Sequence, residues 1–200
     1  MEHIQAVDMD ALTWFGNQHS TAGNAMMKAC THLGDKSFVL AAAIVLALIL
    51  YFLAGRRRTA LIFLAASLLG LGVGQCAKYL IQRPRPDVDW RLIHRPDSTS
   101  FPSGHSIGSM ALYGTFALLA ARHLRNRAAA ALVFVLGFTV PLLVGITRPY
   151  LGVHYPTDVL VGWTLGLACA LFALWADRHW GDRLADTFSD PPNAGNSSQP

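Results

Sequence analysis

Charge is scarce in this chain: Asp, Glu, Lys and Arg make up 14% of its 200 residues, against 52% hydrophobic residues. Soluble domains carry about a quarter charged residues, so the mean hydropathy of +0.34 excludes an ordinary soluble domain and points to several membrane-crossing segments. Cysteine is scarce too. Cys30, Cys76 and Cys169 are odd in number and lack metal-ligand spacing, which excludes a disulfide framework and a zinc site built on thiolates. No cluster of carboxylates suits Mg²⁺, so no metal or other cofactor is expected. There is no positively charged start followed by a hydrophobic core, so we expect no secretory signal in the first residues. The net charge of +4 is spread over short loops between apolar runs. That pattern disfavours a nucleic-acid partner and suits the bilayer surface.

What the chain has in abundance is apolar runs. Five read as spans: Ser37 to Ala54, Thr59 to Ala77, His105 to Ala121, Ala128 to Ile146 and Thr157 to Ala176. Each is close to the roughly 20 residues that carry a helix across the hydrocarbon core. The expected fold class is all-α, a polytopic membrane helical bundle over residues 37–177. Residues 1–36 interleave Ile4, Val7, Leu12, Trp14, Phe15, Met26 and Leu33 with polar side chains, the pattern of one or two amphipathic helices lying at the interface. Residues 178–200 form a tail, expected to be disordered from about Asp190. Arg56, Arg57 and Arg58 join the first two spans, and Arg122, Arg125 and Arg127 join the third and fourth. By the positive-inside rule both connections are cytoplasmic, which puts the C-terminus inside and the N-terminus outside.

The remaining polar residues gather in three places, all on the outer side of that topology. Lys78 and Arg85 close the second span with cations seven residues apart, and Pro84 and Pro86 keep the following chain extended. Phe101-Pro102-Ser103-Gly104-His105 opens the third span, so Ser103 and the Gly104 amide lie at a helix N-terminus, where backbone donors favour an anion. Arg148 ends the fourth span, and His154 and Asp158 follow at a spacing that lets the carboxylate reach the imidazole if the chain turns. Three cations and several amide donors complement a phosphoryl group, which carries a charge of about −1.5 to −2. Phosphoryl transfer needs mainly positioning and electrostatic stabilisation, which this set can give without a metal. Two histidines can divide the proton work, and pairing His154 alone with a carboxylate would make them unequal.

The ordered set Lys78…Arg85-Pro86, Pro102-Ser103-Gly104-His105 and Arg148…His154…Asp158 resembles the type 2 phosphatidic acid phosphatase superfamily, whose three signatures fall here between residues 78 and 158. Two departures are visible: Thr147 stands where the family usually has Ser, and many relatives have a sixth span. The resemblance implies that His154 is the nucleophile forming a phosphohistidine, Asp158 its orienter and His105 the acid that protonates the leaving oxygen. It implies that Lys78, Arg85, Ser103, Gly104 and Arg148 hold the phosphoryl oxygens. The expected protein is an integral lipid phosphatase of the cell (inner) membrane, acting on the outer face. The loop from Gln82 to Phe101 adds cations, which leans the expected substrate toward undecaprenyl pyrophosphate over phosphatidylglycerol phosphate or phosphatidic acid.

Blander readings compete with each feature. His3, His19, His32, His94, His123 and His179 are expected to be structural hydrogen-bonders, and Arg83, Arg91 and Arg95 to solvate their loop. Gly70 and Gly74, Gly104 and Gly108, and Gly162 and Gly166 have the spacing of close helix approach, expected to serve internal packing rather than dimerisation. A vanadate-dependent haloperoxidase would use a similar anion seat but is soluble. A lipid-phosphate binder or flippase would need the cations but neither both histidines nor Asp158.

Overall fold

The computed structural model describes residues 2–53 and 55–180, and all of their regular structure is helical. The tail expected to be disordered lies outside the described residues. Two short helices, α1 (Glu2–Gly16) and α2 (Thr21–Thr31), lead through a 3₁₀ turn (His32–Gly34) into α3 (Lys36–Leu48), which ends in a π-helical turn (Ile49–Leu53). Then come α4 (Arg57–Leu80), α5 (Gly104–Ser109), a second π turn (Met110–Gly114), α6 (Thr115–His123), α7 (Arg127–Tyr150) and α8 (Pro156–Trp180).

Among the described residues, α4, α7 and α8 are each long and apolar enough to cross a bilayer, and they contain the second, fourth and fifth expected spans. Leu61, Leu68, Leu132, Val135, Leu136, Leu160 and Leu171 stay exposed on them, an arrangement suited to lipid rather than water. The first expected span differs. It belongs to a helix pair, Thr21–Gly34 and Lys36–Phe52, bent by 57°, which counts as a fourth span if the pair is taken as one. The third is helical from Gly104 to His123, but the π turn divides it into two shorter α-segments.

Small residues set the packing. A Cβ on Gly162 would lie 2.7 Å from Ser106 Cβ, and one on Gly166 2.8 Å from the Ile107 carbonyl, so α8 meets α5 backbone to backbone. Likewise a Cβ on Gly70 would lie 2.4 Å from Ala111 Cβ, which brings α4 against the same segment. These spacings therefore serve internal helix packing, as expected. At the far ends of these helices the buried Asp177 of α8 accepts hydrogen bonds from Thr59 of α4 (2.8 Å) and Arg122 of α6 (2.6 Å) and meets His123 of α6 at 3.2 Å. The near ends, held in register by this packing, carry the three motifs.

Candidate active site

The third motif folds as a helix stop followed by a helix start. Helix α7 ends at Tyr150 with Leu151 as C-cap, and Gly152 takes φ +74°, a left-handed conformation that a side chain resists. The Gly152 amide donates to Pro149 O (3.0 Å) and the Val153 amide to Arg148 O (3.2 Å), the paired bonds that close a helix C-terminus. Pro156 then opens α8, a position where its missing N–H costs nothing. Asp158 sits in the first turn, and its Oδ2 reaches back to the Tyr155 amide (3.0 Å), one half of a capping box. This local geometry explains the four-residue spacing, because it brings His154 Nδ1 to 3.4 Å from Asp158 Oδ2. Ser100 Oγ donates to the same carboxylate oxygen.

His154 is buried, and its Nε2 accepts from Arg85 NH1 at 3.0 Å. Nδ1 then carries the proton, facing Asp158, while the single lone pair of Nε2 accepts the Arg85 bond. Burial pushes the His154 pKa down to about 3, the Asp158 hydrogen bond opposes this, and Arg148 and Arg85 add to the lowering. The ring is therefore neutral at physiological pH.

Arg85 is fixed by Ser98 O (2.6 Å), Val153 O (2.8 Å) and Ser98 Oγ (3.0 Å), and burial lowers its pKa to about 10, leaving it charged. Lys78 Nζ donates to Thr99 O at 2.6 Å. Arg148 is buried, donates to Thr31 Oγ1 (2.5 Å), and keeps a buried Nε with no hydrogen-bond partner. Lys78, Arg85, Gly104, His105, Arg148 and His154 line one cavity of about 500 Å³. Val39, Leu40, Leu71 and Ile107 line it too, giving it an apolar side among α3, α4 and α5.

Two expected residues stand elsewhere. Asp158 lies behind His154, as an orienter would. Ser103 does not line the cavity: it is fully buried, and its hydroxyl accepts from the Ser106 amide (3.4 Å) and Ser106 Oγ (2.9 Å) as the cap of α5. Gly104, just after it, is what reaches the cavity wall.

Arg83 does not solvate its loop. It donates to Asp158 Oδ1 (2.8 Å), Asp8 Oδ2 (2.7 Å) and Thr157 Oγ1 (2.9 Å) and lies 4.0 Å over the Tyr155 ring. Burial disfavours its charge, but the Asp8 hydrogen bond and the Asp158 charge outweigh that and raise its pKa. Asp8, from α1, is itself buried and also accepts from the Thr157 amide (3.0 Å). Nothing within a few residues of Asp8 marks it, since its partner Arg83 lies 75 residues away. Nor is His154 alone in having a carboxylate. Asp35 Oδ1 lies 3.1 Å from His105 Nε2, and Asp35 Oδ2 lies 2.8 Å from His32 Nδ1.

Buried cations and two histidines around one cavity at the ends of apolar helices define a phosphate-handling membrane enzyme. Residues 59–181 match the family model of the PAP2 superfamily, and the chain belongs to that superfamily. It is 36% identical over 147 residues to phosphatidylglycerophosphatase B of Bacillus subtilis (strain 168), covering 72% of this chain and 70% of that protein. It is 29% identical over 114 residues to undecaprenyl-diphosphatase of Sulfolobus acidocaldarius, covering 55% of this chain and about half (51%) of that protein. In three dimensions it matches the crystal structure of a transmembrane PAP2 type phosphatidylglycerolphosphate phosphatase from Bacillus subtilis, with TM-score 0.82 and 30% identity over 89% of this chain and 88% of the other.

Proposed function

We propose that this chain removes the terminal phosphoryl group of a membrane lipid through a phosphohistidine on His154. One observation carries the reading: Lys78, Arg85, Arg148, His105 and His154 line a single cavity whose other side is apolar. As Arg85 NH1 shifts its hydrogen bond from His154 Nε2 to a phosphoryl oxygen, the freed Nε2 lone pair forms the N–P bond while the P–O bond to the lipid breaks. His105 gives its proton to the departing oxygen, then takes one from the water that attacks phosphorus, and the N–P electrons return to His154. Lys78, Arg85 and the Gly104 amide stabilise charge on the phosphoryl oxygens, and the unpartnered Arg148 Nε is a donor suited to one of them. A lipid binder would have no use for the tautomer that Asp158 fixes.

The substrate we infer is a phosphate monoester, with phosphatidylglycerol phosphate ahead of undecaprenyl pyrophosphate. A pyrophosphate preference would draw on the loop cations. Arg83 is engaged by Asp8 and Asp158, Arg91 and Arg95 pair with Asp87 (3.3 and 3.6 Å), and none of the three lines the cavity. Lys36, Lys78, Arg85 and Arg148 line the cavity with one carboxylate, Asp35, a balance that complements one phosphoryl group. The relative named undecaprenyl-diphosphatase keeps the second reading in play.

In the membrane we place five crossings, with α1 and α2 at the interface and the cavity on the outer face, because the Arg56–Arg58 and Arg122–Arg127 connections lie at the opposite helix ends. The test is kcat/KM for the two lipids and phosphatidic acid in one detergent. A tenfold preference for phosphatidylglycerol phosphate over undecaprenyl pyrophosphate is expected. The reverse order would restore the pyrophosphate reading, and no phosphate release from any of them would sink the hydrolase itself.

A further inference from the structure

The N-terminal segment ends in a turn seated on the active site. A Cβ on Gly34 would lie 2.8 Å from His105 Cδ2 and 2.5 Å from Val144 Cγ1, so the backbone of the turn rests directly against the His105 ring. Tyr113 Oη holds the turn through Leu33 O (3.0 Å), and Arg148 holds it through Thr31 Oγ1 (2.5 Å). Asp35 comes next, in extended conformation, at the N-cap of α3.

Aspartate is among the best N-cap residues because its carboxylate accepts from the free amides of the first turn. Asp35 makes no such bond. Its carboxylate turns the other way and bridges two histidines, Oδ1 to His105 Nε2 (3.1 Å) and Oδ2 to His32 Nδ1 (2.8 Å). It also lines the cavity, whose other charged lining residues are Lys36, Lys78, Arg85 and Arg148, all cations. Four positive charges oppose the imidazolium that an acid must be. One carboxylate in direct contact favours it.

We propose that Asp35 is the positioning residue of His105, fixing the ring through Nε2 so that its other nitrogen serves the leaving oxygen. This rests on the reading of His105 as the acid. The Nδ1 proton of the His105 imidazolium passes to the lipid oxygen as the P–O bond breaks, while Nε2–H stays on Asp35. His105 is then neutral, and the proton released by the attacking water restores the imidazolium beside Asp35. His154 is enclosed and bonded by Arg85, whereas His105 is tied to a carboxylate whose side chain is 41% exposed.

Asp35→Ser tests this on the purified full chain, because serine can cap α3 in the ordinary way while removing the charge. Asp35→Asn is the second variant. Both are assayed against a lipid phosphate monoester, whose alkoxide leaving group needs the acid, and against p-nitrophenyl phosphate, whose leaving group does not. Each variant should lose roughly 10- to 100-fold in kcat on the lipid and less than about threefold on the aryl ester. The alkaline limb of the pH–rate profile should move to lower pH, because removing the carboxylate weakens the hold of His105 on its proton. In a His105→Ala background, Asp35→Ser should cost nothing further. Equal losses on both substrates, or full activity of Asp35→Ser on the lipid, would overturn the role of Asp35. A His105→Ala variant indifferent to the leaving group would overturn the acid assignment beneath it, and Asp35 with it.

Discussion

At the residue scale, the nucleophilic role proposed for His154 requires the neutral base, and the setting of the ring favours that form. Its enclosure lowers its pKa to about 3 against the Asp158 hydrogen bond that supports the proton. The same enclosure makes the fold sensitive to acid. An unfolded histidine titrates near 6.5, so as the pH falls below that value the unfolded chain takes up a proton that the folded chain refuses. The stability associated with this ring is complete above pH ~6.5 and drains away as the pH falls toward the folded pKa. The thermal midpoint in detergent should therefore fall more steeply between pH 7.5 and 5 in the unsubstituted chain than in His154→Gln. Parallel curves would show that the ring is not held neutral.

At the element scale, α1 acts on the chemistry without lining the cavity. Asp8 sits over the first turn of α8, where a negative charge is favoured, and holds Arg83, which in turn holds Asp158. Removing one partner of a buried ion pair costs about 3–5 kcal/mol; Arg83 is partly exposed (22%), which screens the loss. Asp8→Ala is expected to destabilise the protein by roughly 2 kcal/mol and to lower kcat by loosening Asp158. Thermal unfolding and steady-state kinetics check both, and a variant unchanged in each would remove α1 from the account. This link was not legible in the sequence, since Asp8 and Arg83 are 75 residues apart and either alone reads as a solvated charge. Asp35 was hidden in the same way. What could be read were features set within a few residues: the apolar runs of α4, α7 and α8, the helix N-terminus at Ser103 and Gly104, and the four-residue spacing of His154 and Asp158. The π turn at Met110–Gly114 escaped because apolar composition continues through it, and the bend at Asp35 escaped because it lies in how two helices meet.

The whole molecule is asymmetric along its helices. One end carries the cavity. The other carries Arg56, Arg57, Arg58 and Arg122 near the buried Asp177. If that end is cytoplasmic, a cysteine placed at Asp97 should react with an impermeant thiol reagent in intact cells, and one at Asn126 should not. Background labelling of Cys76, which is exposed, is controlled by the parent chain. The opposite pattern would turn the active site to the cytoplasm and remove lipids confined to the outer leaflet from its substrates.

Covalent catalysis at His154 is the claim on which the rest depends, and quenching turnover of a ³²P-labelled lipid phosphate tests it directly. The account predicts labelled protein whose phosphate is lost in acid and retained in alkali, as for a phosphoramidate. It also predicts neither label nor turnover in His154→Ala. Full turnover by His154→Ala would contradict it.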